Sequence, residues 1–184
     1  MNNRISIIGI EGSGKTYFIS NLFSLDCYTK IYEPNFDINK ILKTTDDILD
    51  SKEKQNLIHN CMLERDIKLA DNKKYIMERD YISAVYTFNL SESRYYEQLI
   101  ENFIINHRDV LPNIVIFMDT PLDTCLKRIQ SRRRQYEDTL TIEDLTMKRN
   151  LHLELLEIYK RLNINTFCYS GESEDYPELI KYIK

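Results

Sequence analysis

The chain has 184 residues, a formal net charge of −4 and 29% charged residues. This length fits a single domain over residues 1–184, and the balance of apolar and charged residues excludes a disordered chain. The acidic balance argues against a nucleic-acid polymer as the main ligand. No apolar run approaches membrane-spanning length and no secretion signal begins the chain, so we expect a cytoplasmic protein that binds no membrane.

Runs rich in β-formers alternate with segments of helical spacing along the chain. The predicted strands are Ile5 to Ile10, Lys30 to Glu33, Tyr75 to Glu78, Ile114 to Asp119 and Thr166 to Ser170. The predicted helices are Lys15 to Phe23, Ser51 to Ala70, Asp80 to Phe88, Ser91 to Asn106, Leu122 to Arg132 and one that contains Leu151 to Leu162. This alternation predicts an α/β fold, with a five-stranded parallel sheet and helices on both of its faces.

The first predicted strand runs directly into a glycine-rich loop, which matches G-x-x-x-x-G-K-[ST] and precedes a helix. Glycines let successive backbone N–H groups point at phosphate oxygens, so this loop predicts ATP and Mg²⁺ as cofactors. Lys15 would bridge the β- and γ-phosphates, and Thr16 would bind Mg²⁺. A glycine-rich turn with an incidental lysine is the alternative. The predicted nucleotide-binding residues of the loop are Gly9, Gly12, Ser13, Gly14, Lys15 and Thr16.

The rest of the chain favours a kinase over other classes of P-loop protein. Gly171 is the only glycine outside the loop, and Cys168 stands where the Asp-x-x-Gly switch of a GTPase needs its Asp. Asp119 at the end of the fourth strand is followed by Thr120, not by the Glu of a motor ATPase.

A carboxylate follows the second predicted strand, in the sequence Tyr32-Glu33-Pro34. Parallel α/β sheets place ligands at the carboxyl ends of their strands, so Glu33 could act as the general base that accepts a hydroxyl proton. An exposed loop acid is the other reading of Glu33.

The third strand ends in Glu78-Arg79 and is followed by Ser83-Ala84 and Tyr86. This segment resembles the Glu-Arg-Ser motif and following helix of the deoxynucleoside kinases, a P-loop family that includes the mitochondrial-type thymidine kinase. The resemblance implies that Glu78 helps to hold Mg²⁺ through water and that Arg79 reaches the acceptor's 5′ oxygen and the phosphates. Asp80 departs from the family, which has Ser at this position.

Other segments resemble the same family in the same order. Glu33-Pro34 resembles its Glu-Pro, whose Glu is the catalytic base, and Gln55 is similar to the Gln that reads the edge of the base. Residues 125–137 resemble its lid, which implies that Arg128, Arg132 and Arg134 contact phosphates and that Glu137 binds the sugar 3′-hydroxyl. The Ile10-Glu11 pair is closer to the Gly-Ile-Asp-Gly loop of the thymidylate kinases, a sister family.

The arginines of the lid segment also have a physical rationale. Arg128 and Arg132 are four residues apart on one helix face, so both guanidinium groups can meet one triphosphate. A solvated basic face and a nucleic-acid patch are the alternatives. His59 and His152 are expected on helix surfaces, without a role.

These observations predict a deoxynucleoside kinase that transfers the γ-phosphate of ATP to the 5′-hydroxyl of a deoxynucleoside, thymidine or another pyrimidine. Glu33, Arg79, Lys15 and Arg128 would carry the chemistry, and the resemblance implies a homodimer. One alternative is a thymidylate-type deoxynucleoside monophosphate kinase, in which Arg65 would bind the phosphate of the acceptor. A more remote alternative is a non-catalytic nucleotide-binding regulator.

Overall fold

The computed structural model of the protein describes residues 4–21, 28–33, 51–69, 74–88, 93–132, 139–170, 179 and 183. Strands and helices alternate along this part of the chain. The strands are β1 (Arg4–Ile8), β2 (Thr29–Ile31), β3 (Tyr75–Glu78), β4 (Ile114–Met118) and β5 (Asn165–Tyr169). The helices are α1 (Lys15–Asn21), α2 (Ser51–Ile67), α3 (Tyr81–Phe88), α4 (Ser93–Asn106), α5 (Leu122–Arg132) and α6 (Ile142–Arg161).

The five strands form one parallel sheet in the order β2-β3-β1-β4-β5, which confirms the predicted fold class. The central strand is β1, which pairs with β3 on one side and with β4 on the other. Because the chain crosses to opposite sides of β1, the carboxyl ends of these three strands meet where open α/β sheets bind their ligands. The predicted bounds of β3 agree with the structure, and the ends of the other strands differ by two residues at most.

Both faces of the sheet are covered, since successive side chains along a strand point to opposite faces. Ile8 and Phe117 face a core formed with α3, α4 and α6. Ile7 and Ile116 face a second core formed with Phe18 and other apolar side chains of α1. Burial on both faces explains why the strands are continuously apolar.

Helix α6 begins at Ile142, nine residues before Leu151, where the apolar pattern that predicted it starts. Thr141 caps the helix: its hydroxyl accepts a hydrogen bond from the Asp144 amide, and the Asp144 carboxylate accepts one from the Thr141 amide. This reciprocal pair is a capping box, which satisfies amide groups that the first turn leaves without a helical partner.

The expected surface positions of the two histidines were wrong. His59 and His152 are each 2% exposed. The His152 ring stacks on Phe117, with ring centroids 5.6 Å apart, and its Nδ1 lies 2.8 Å from the Lys148 carbonyl oxygen. Burial lowers the pKa of His152 to about 3, so the ring is neutral. None of the helices in the described ranges is long and apolar enough to cross a bilayer.

Candidate active site

The phosphate loop, residues 9–16, connects β1 to α1 and packs closely against α5. Gly12 has a φ of 77°, and a Cβ atom at this position would lie 2.5 Å from the carbonyl oxygen of Cys125. Only glycine fits both this backbone conformation and this contact. Two further bonds hold the loop: Thr120 donates to the Ser13 carbonyl at 2.9 Å, and Arg128 donates to the Gly12 carbonyl at 3.1 Å.

Lys15 is held inside the phosphate loop. Its Nζ donates to the carbonyl oxygens of Gly9 and Ile10, both at 3.0 Å, and the residue is 6% exposed. Burial and the charge of Arg79 lower the pKa of Lys15 to about 8, against the opposing effect of nearby carboxylates. The ammonium group is therefore held by carbonyl oxygens of the loop itself, and an anionic ligand there would favour its charged form.

Thr16 and Glu78 meet at the carboxyl ends of β1 and β3. The Thr16 hydroxyl lies 2.9 Å from both carboxylate oxygens of Glu78, because the register pairs Ile7 with Glu78 across the two strands. A hydroxyl and a carboxylate are oxygen ligands that Mg²⁺ accepts, and Mg²⁺ usually adds water and substrate phosphate to a few protein ligands. Within the described residues, no group of three or more His, Cys, Asp or Glu could hold a metal ion.

Arg79 joins the phosphate loop to the end of β2. Its Nη1 lies 3.5 Å from Glu33 Oε1, and its Nη2 lies 3.5 Å from the Gly9 carbonyl oxygen and 3.7 Å from Glu11 Oε1. Arg79 is 4% exposed. Burial lowers its pKa, but the carboxylates of Glu33, Glu11 and Glu78 outweigh burial and raise the pKa of Arg79 above its ordinary value. The guanidinium group is therefore always charged at this point.

Glu11 has no role in the sequence-based predictions, yet the structure places it among three cations. Lys148 on α6 donates to Glu11 Oε1 at 3.0 Å, across a separation of 137 residues. Burial raises the pKa of Glu11, but the charges of Arg79, Lys148 and Lys15 lower it to about 2. The only signal in the sequence was the Ile10-Glu11 pair in the loop, since nothing marks Lys148 as its partner.

Arg65 lies at the end of α2, beside the end of β3. Its Nε donates to Asp66 Oδ1 at 2.7 Å, its Nη1 donates to the Glu78 carbonyl at 3.0 Å, and its Nη2 donates to the Arg79 carbonyl. The Arg65 side chain is 12% exposed. All three of its nitrogens are thus bonded to protein groups at the edge of the site.

The lid residues are described only in part. Arg128 and Arg132 lie on α5 and are exposed, and Arg128 reaches the phosphate loop. Arg134 and Glu137 lie outside the described residues, as does the side chain of Gln55, whose backbone belongs to α2. The predicted arginine-rich lid therefore stays a prediction.

A second pair missed by the sequence reasoning joins α6 to the end of β4. Arg149 donates to both carboxylate oxygens of Asp119, from Nε at 2.6 Å and from Nη2 at 2.7 Å. This two-pronged hydrogen bond raises the pKa of Arg149. It anchors the first half of α6 to the carboxyl end of β4, at the edge of the sheet where the phosphate loop lies.

The site combines a phosphate loop, buried cations and carboxylates at the carboxyl ends of parallel strands. The sequence model of the thymidylate kinase family matches residues 7–180. The chain belongs to the thymidylate kinase family. It is therefore a nucleoside or nucleotide kinase and a phosphotransferase, as predicted in outline. No curated protein sequence matches the chain significantly.

Solved structures of deoxyadenosine kinase from M. mycoides share the fold. The structure with the products dCMP and dCDP has a TM-score of 0.72 and 18% identity, and the match covers 97% of this chain and 96% of that one. The structure with dCTP has a TM-score of 0.68, 20% identity and coverage of 97% and 96%. The structure with dATP has a TM-score of 0.69, 18% identity and coverage of 97% for both chains. At these identities the likeness shows the fold alone.

Proposed function

We propose that this thymidylate kinase family member is an ATP-dependent deoxynucleoside kinase, which phosphorylates the 5′-hydroxyl of thymidine or another deoxynucleoside. The observation that carries the proposal is the position of Arg79, whose guanidinium group lies 3.5 Å from the Glu33 carboxylate and 3.5 Å from the Gly9 carbonyl of the phosphate loop. A carboxylate base, an arginine and a phosphate loop thus converge on one point, as phosphoryl transfer to a hydroxyl requires.

In the proposed reaction, the acceptor hydroxyl lies beside Glu33. Glu33 takes the hydroxyl proton as the 5′ oxygen bonds to the γ-phosphorus, and the bond from that phosphorus to the β,γ-bridging oxygen breaks, releasing ADP. Lys15, Arg79 and Arg128 stabilise the charge on the transferring group. Thr16 and Glu78 would hold Mg²⁺, which supplies further positive charge at the β- and γ-phosphates.

The remaining predicted residues complete the proposal. Gly9, Gly12, Ser13 and Gly14 bind phosphates through their backbone. Arg132 and Arg134 add phosphate contacts from the lid, Gln55 reads the base and Glu137 binds the 3′-hydroxyl. We also include in the proposal a single domain over residues 1–184, which the chain length favours, and a homodimer, which the resemblance implies.

The nearest competing function is a deoxynucleoside monophosphate kinase, which the family name itself favours. That enzyme must bind one more phosphate on its acceptor. Arg65 was the predicted ligand for that phosphate, but its three nitrogens donate to Asp66, to the Glu78 carbonyl and to the Arg79 carbonyl. This bonding supports an acceptor without a phosphate.

The test is to incubate the purified protein with Mg·ATP and, separately, with each common deoxynucleoside and each deoxynucleoside monophosphate. The proposal predicts new monophosphate from at least one deoxynucleoside. Diphosphate formed only from monophosphates would make the protein a nucleotide kinase, and no transfer to any acceptor would favour the nucleotide-binding regulator. Deoxyadenosine and deoxycytidine belong in the panel beside thymidine, because the neighbouring structures hold dATP and dCTP.

The base is tested by the substitution Glu33→Gln. We expect turnover to fall about a hundredfold or more, the usual scale for the loss of a general base, while ATP binding measured by calorimetry stays intact. Glu64→Gln is the matched control, because Glu64 has a 73% exposed side chain on α2. Unchanged turnover in Glu33→Gln would remove Glu33 from the mechanism.

A further inference from the structure

The turn between β3 and α3 has an unusual backbone. Arg79 has a φ of 51°, in the left-handed region that disfavours residues with a Cβ atom. Among the described residues, only one other non-glycine residue, Asn163, has a positive φ. A backbone held in this region needs surrounding contacts that stabilise it, and such residues concentrate at functional sites.

Arg65 and Asp66 supply those contacts from α2. Arg65 donates to the carbonyl oxygen of Arg79 and to that of Glu78, the residue before it. Asp66 Oδ2 accepts from the amide of Tyr81 at 2.7 Å, and Asp66 Oδ1 accepts from Arg65 Nε at 2.7 Å. The two side chains therefore bind each other and three backbone groups of one turn.

This turn sets the direction of two side chains of the site. Glu78 points to the Thr16 hydroxyl, and Arg79 points between Glu33 and the phosphate loop. A change in the backbone between them would move both groups. Catalytic groups lose much of their effect when they shift by about 1 Å. A contact that fixes this turn therefore affects turnover without contacting the reacting atoms.

We propose that Arg65 and Asp66 are positioning residues, which hold the left-handed turn at Arg79 so that Glu78 and Arg79 face the phosphate loop. This inference rests on the proposed function, because it assigns Arg65 to the turn and not to the phosphate of an acceptor. The guanidinium group of Arg65 donates to two carbonyls and a carboxylate from three separate nitrogens, whereas an ammonium group must donate all its bonds from one nitrogen.

The bonding of Arg65 argues against a direct role on an acceptor phosphate. Its side chain is 12% exposed, and that of its partner Asp66 is 2% exposed, so an acceptor phosphate would meet a charge already paired with a carboxylate. An anion that drew Arg65 away would leave the carbonyl oxygens of Glu78 and Arg79 without this donor. Leaving buried acceptors without a donor is costly, so the existing bonds are favoured.

The decisive variants are Arg65→Lys, which keeps the charge but loses the fork, and Asp66→Asn, which keeps the guanidinium group but loses its charged partner. Steady-state kinetics with the preferred acceptor should show a fall in kcat of about tenfold or more for Arg65→Lys, and a smaller fall for Asp66→Asn. The acceptor KM should change by less than about threefold in both. Arg161→Lys is the matched control, because Arg161 is exposed and its Nε donates to one backbone carbonyl of its own helix.

A double-mutant cycle tests whether Arg65 acts through Arg79. If it does, Arg65→Lys should add little to the loss caused by Arg79→Lys. Losses that multiply independently would overturn the inference, as would an increase in KM limited to monophosphate acceptors with kcat unchanged. Asp66→Asn with wild-type kcat would overturn it too.

Failure of the proposed function gives a different pattern from failure of this inference. If the wild-type protein phosphorylates only monophosphates, the proposed acceptor is wrong, and the same kcat and KM comparison is made with a monophosphate. If the wild-type protein phosphorylates no acceptor, Mg·ATP binding is the readout, since Glu78 and Arg79 border the phosphate loop. Binding to Arg65→Lys that is several-fold weaker than to Arg161→Lys would support the inference, and equal binding would overturn it.

Discussion

Charged residues around the phosphate loop are buried together, and their pKa values depend on one another. Burial favours the neutral form of each, yet Glu11 lies beside Arg79, Lys148 and Lys15, which keep its carboxylate ionised. Lys15 is the opposite case, because burial and Arg79 lower its pKa in spite of three nearby carboxylates. The cations around the phosphate loop are thus paired with carboxylates in the absence of a ligand, and they are the groups that bound phosphates would meet.

Glu11 should make the stability of the protein depend on acid pH. The folded-state pKa of about 2 lies below the ordinary 4.5, so the unfolded chain binds the proton more tightly. The stabilisation that ionised Glu11 gains from the neighbouring cations is therefore fully present above pH 4.5 and is lost as the pH falls from 4.5 towards 2. In Glu11→Gln, thermal melting curves should show a smaller fall in melting temperature over this range than in wild type. Equal slopes in the two proteins would contradict the prediction.

Glu78 should control the magnesium requirement of the reaction. Glu78→Gln replaces a charged oxygen ligand beside Thr16 with a neutral amide. We therefore expect the Mg²⁺ concentration for half-maximal activity to rise by roughly tenfold, the effect of losing about one charge-assisted contact with the ion. The measurement is a Mg²⁺ titration of phosphoryl transfer at constant ATP. Glu101→Gln, on an exposed position of α4, is the control. A Mg²⁺ requirement equal to that of the control would remove Glu78 from the metal site.

The contact between the phosphate loop and α5 is a property of two elements together. Gly12 lies against the backbone of Cys125, which cannot move without displacing the helix. Gly14 has a similar φ of 91°, but a Cβ atom there would meet only the side chain of Arg128, at 3.4 Å. The two glycines share the same backbone strain and differ in the space around them.

Gly12→Ala should therefore destabilise the protein more than Gly14→Ala. Both substitutions place a Cβ atom on a left-handed backbone. The difference between their losses of unfolding free energy therefore measures the clash with Cys125. We expect this clash to cost about 1–3 kcal/mol, as overpacking does. The measurement is the free energy of unfolding in denaturant without nucleotide. Equal losses in the two variants would mean that the loop moves away from α5 at no cost.

At the scale of the whole molecule, Asp80 connects the central strand with two helices. Its Oδ2 accepts from Ser6 on β1 at 2.5 Å, and its Oδ1 accepts from Tyr159 on α6 at 2.6 Å and from the Ser83 amide on α3 at 2.9 Å. Asp80 is 2% exposed. A buried carboxylate needs such partners, so the Asp that departs from the deoxynucleoside kinase pattern serves here as a structural centre.

Tyr159→Phe should weaken the fold as a whole. The substitution keeps the ring but removes one donor from a buried carboxylate, so we expect the free energy of unfolding to fall by about 1–3 kcal/mol. Tyr86→Phe is the control, because the Tyr86 hydroxyl donates to Glu154 at an exposed site, where we expect a change below about 0.5 kcal/mol. Similar losses of unfolding free energy in the two variants would show that the buried bond to Asp80 stabilises the fold no more than the exposed bond to Glu154 does.

The sequence by itself determined the α/β class, the number of strands and the position of the phosphate loop. These features depend on local patterns: apolar strand runs, helical spacing and a glycine motif act over fewer than about 20 residues. The placement of Thr16 near Glu78 and of Glu33 near Arg79 also followed in outline, since parallel strands bring their carboxyl ends to one edge. The two buried histidines were misplaced because helical spacing alone does not tell which polar residue lies under a neighbouring element.

Only the tertiary structure decided the partners of the charged residues. Glu11 and Lys148 are 137 positions apart, and Asp119 and Arg149 are 30 apart, and neither separation leaves a signal in a single sequence. Arg65 was predicted as a substrate ligand because it falls close to a substrate-phosphate arginine of the thymidylate kinases, and the structure shows its guanidinium group bonded to backbone carbonyls. Which oxygen atoms the Arg65 guanidinium group binds depends on the groups that the fold brings within about 3 Å of it. The packing of α2 against the end of β3 sets those distances.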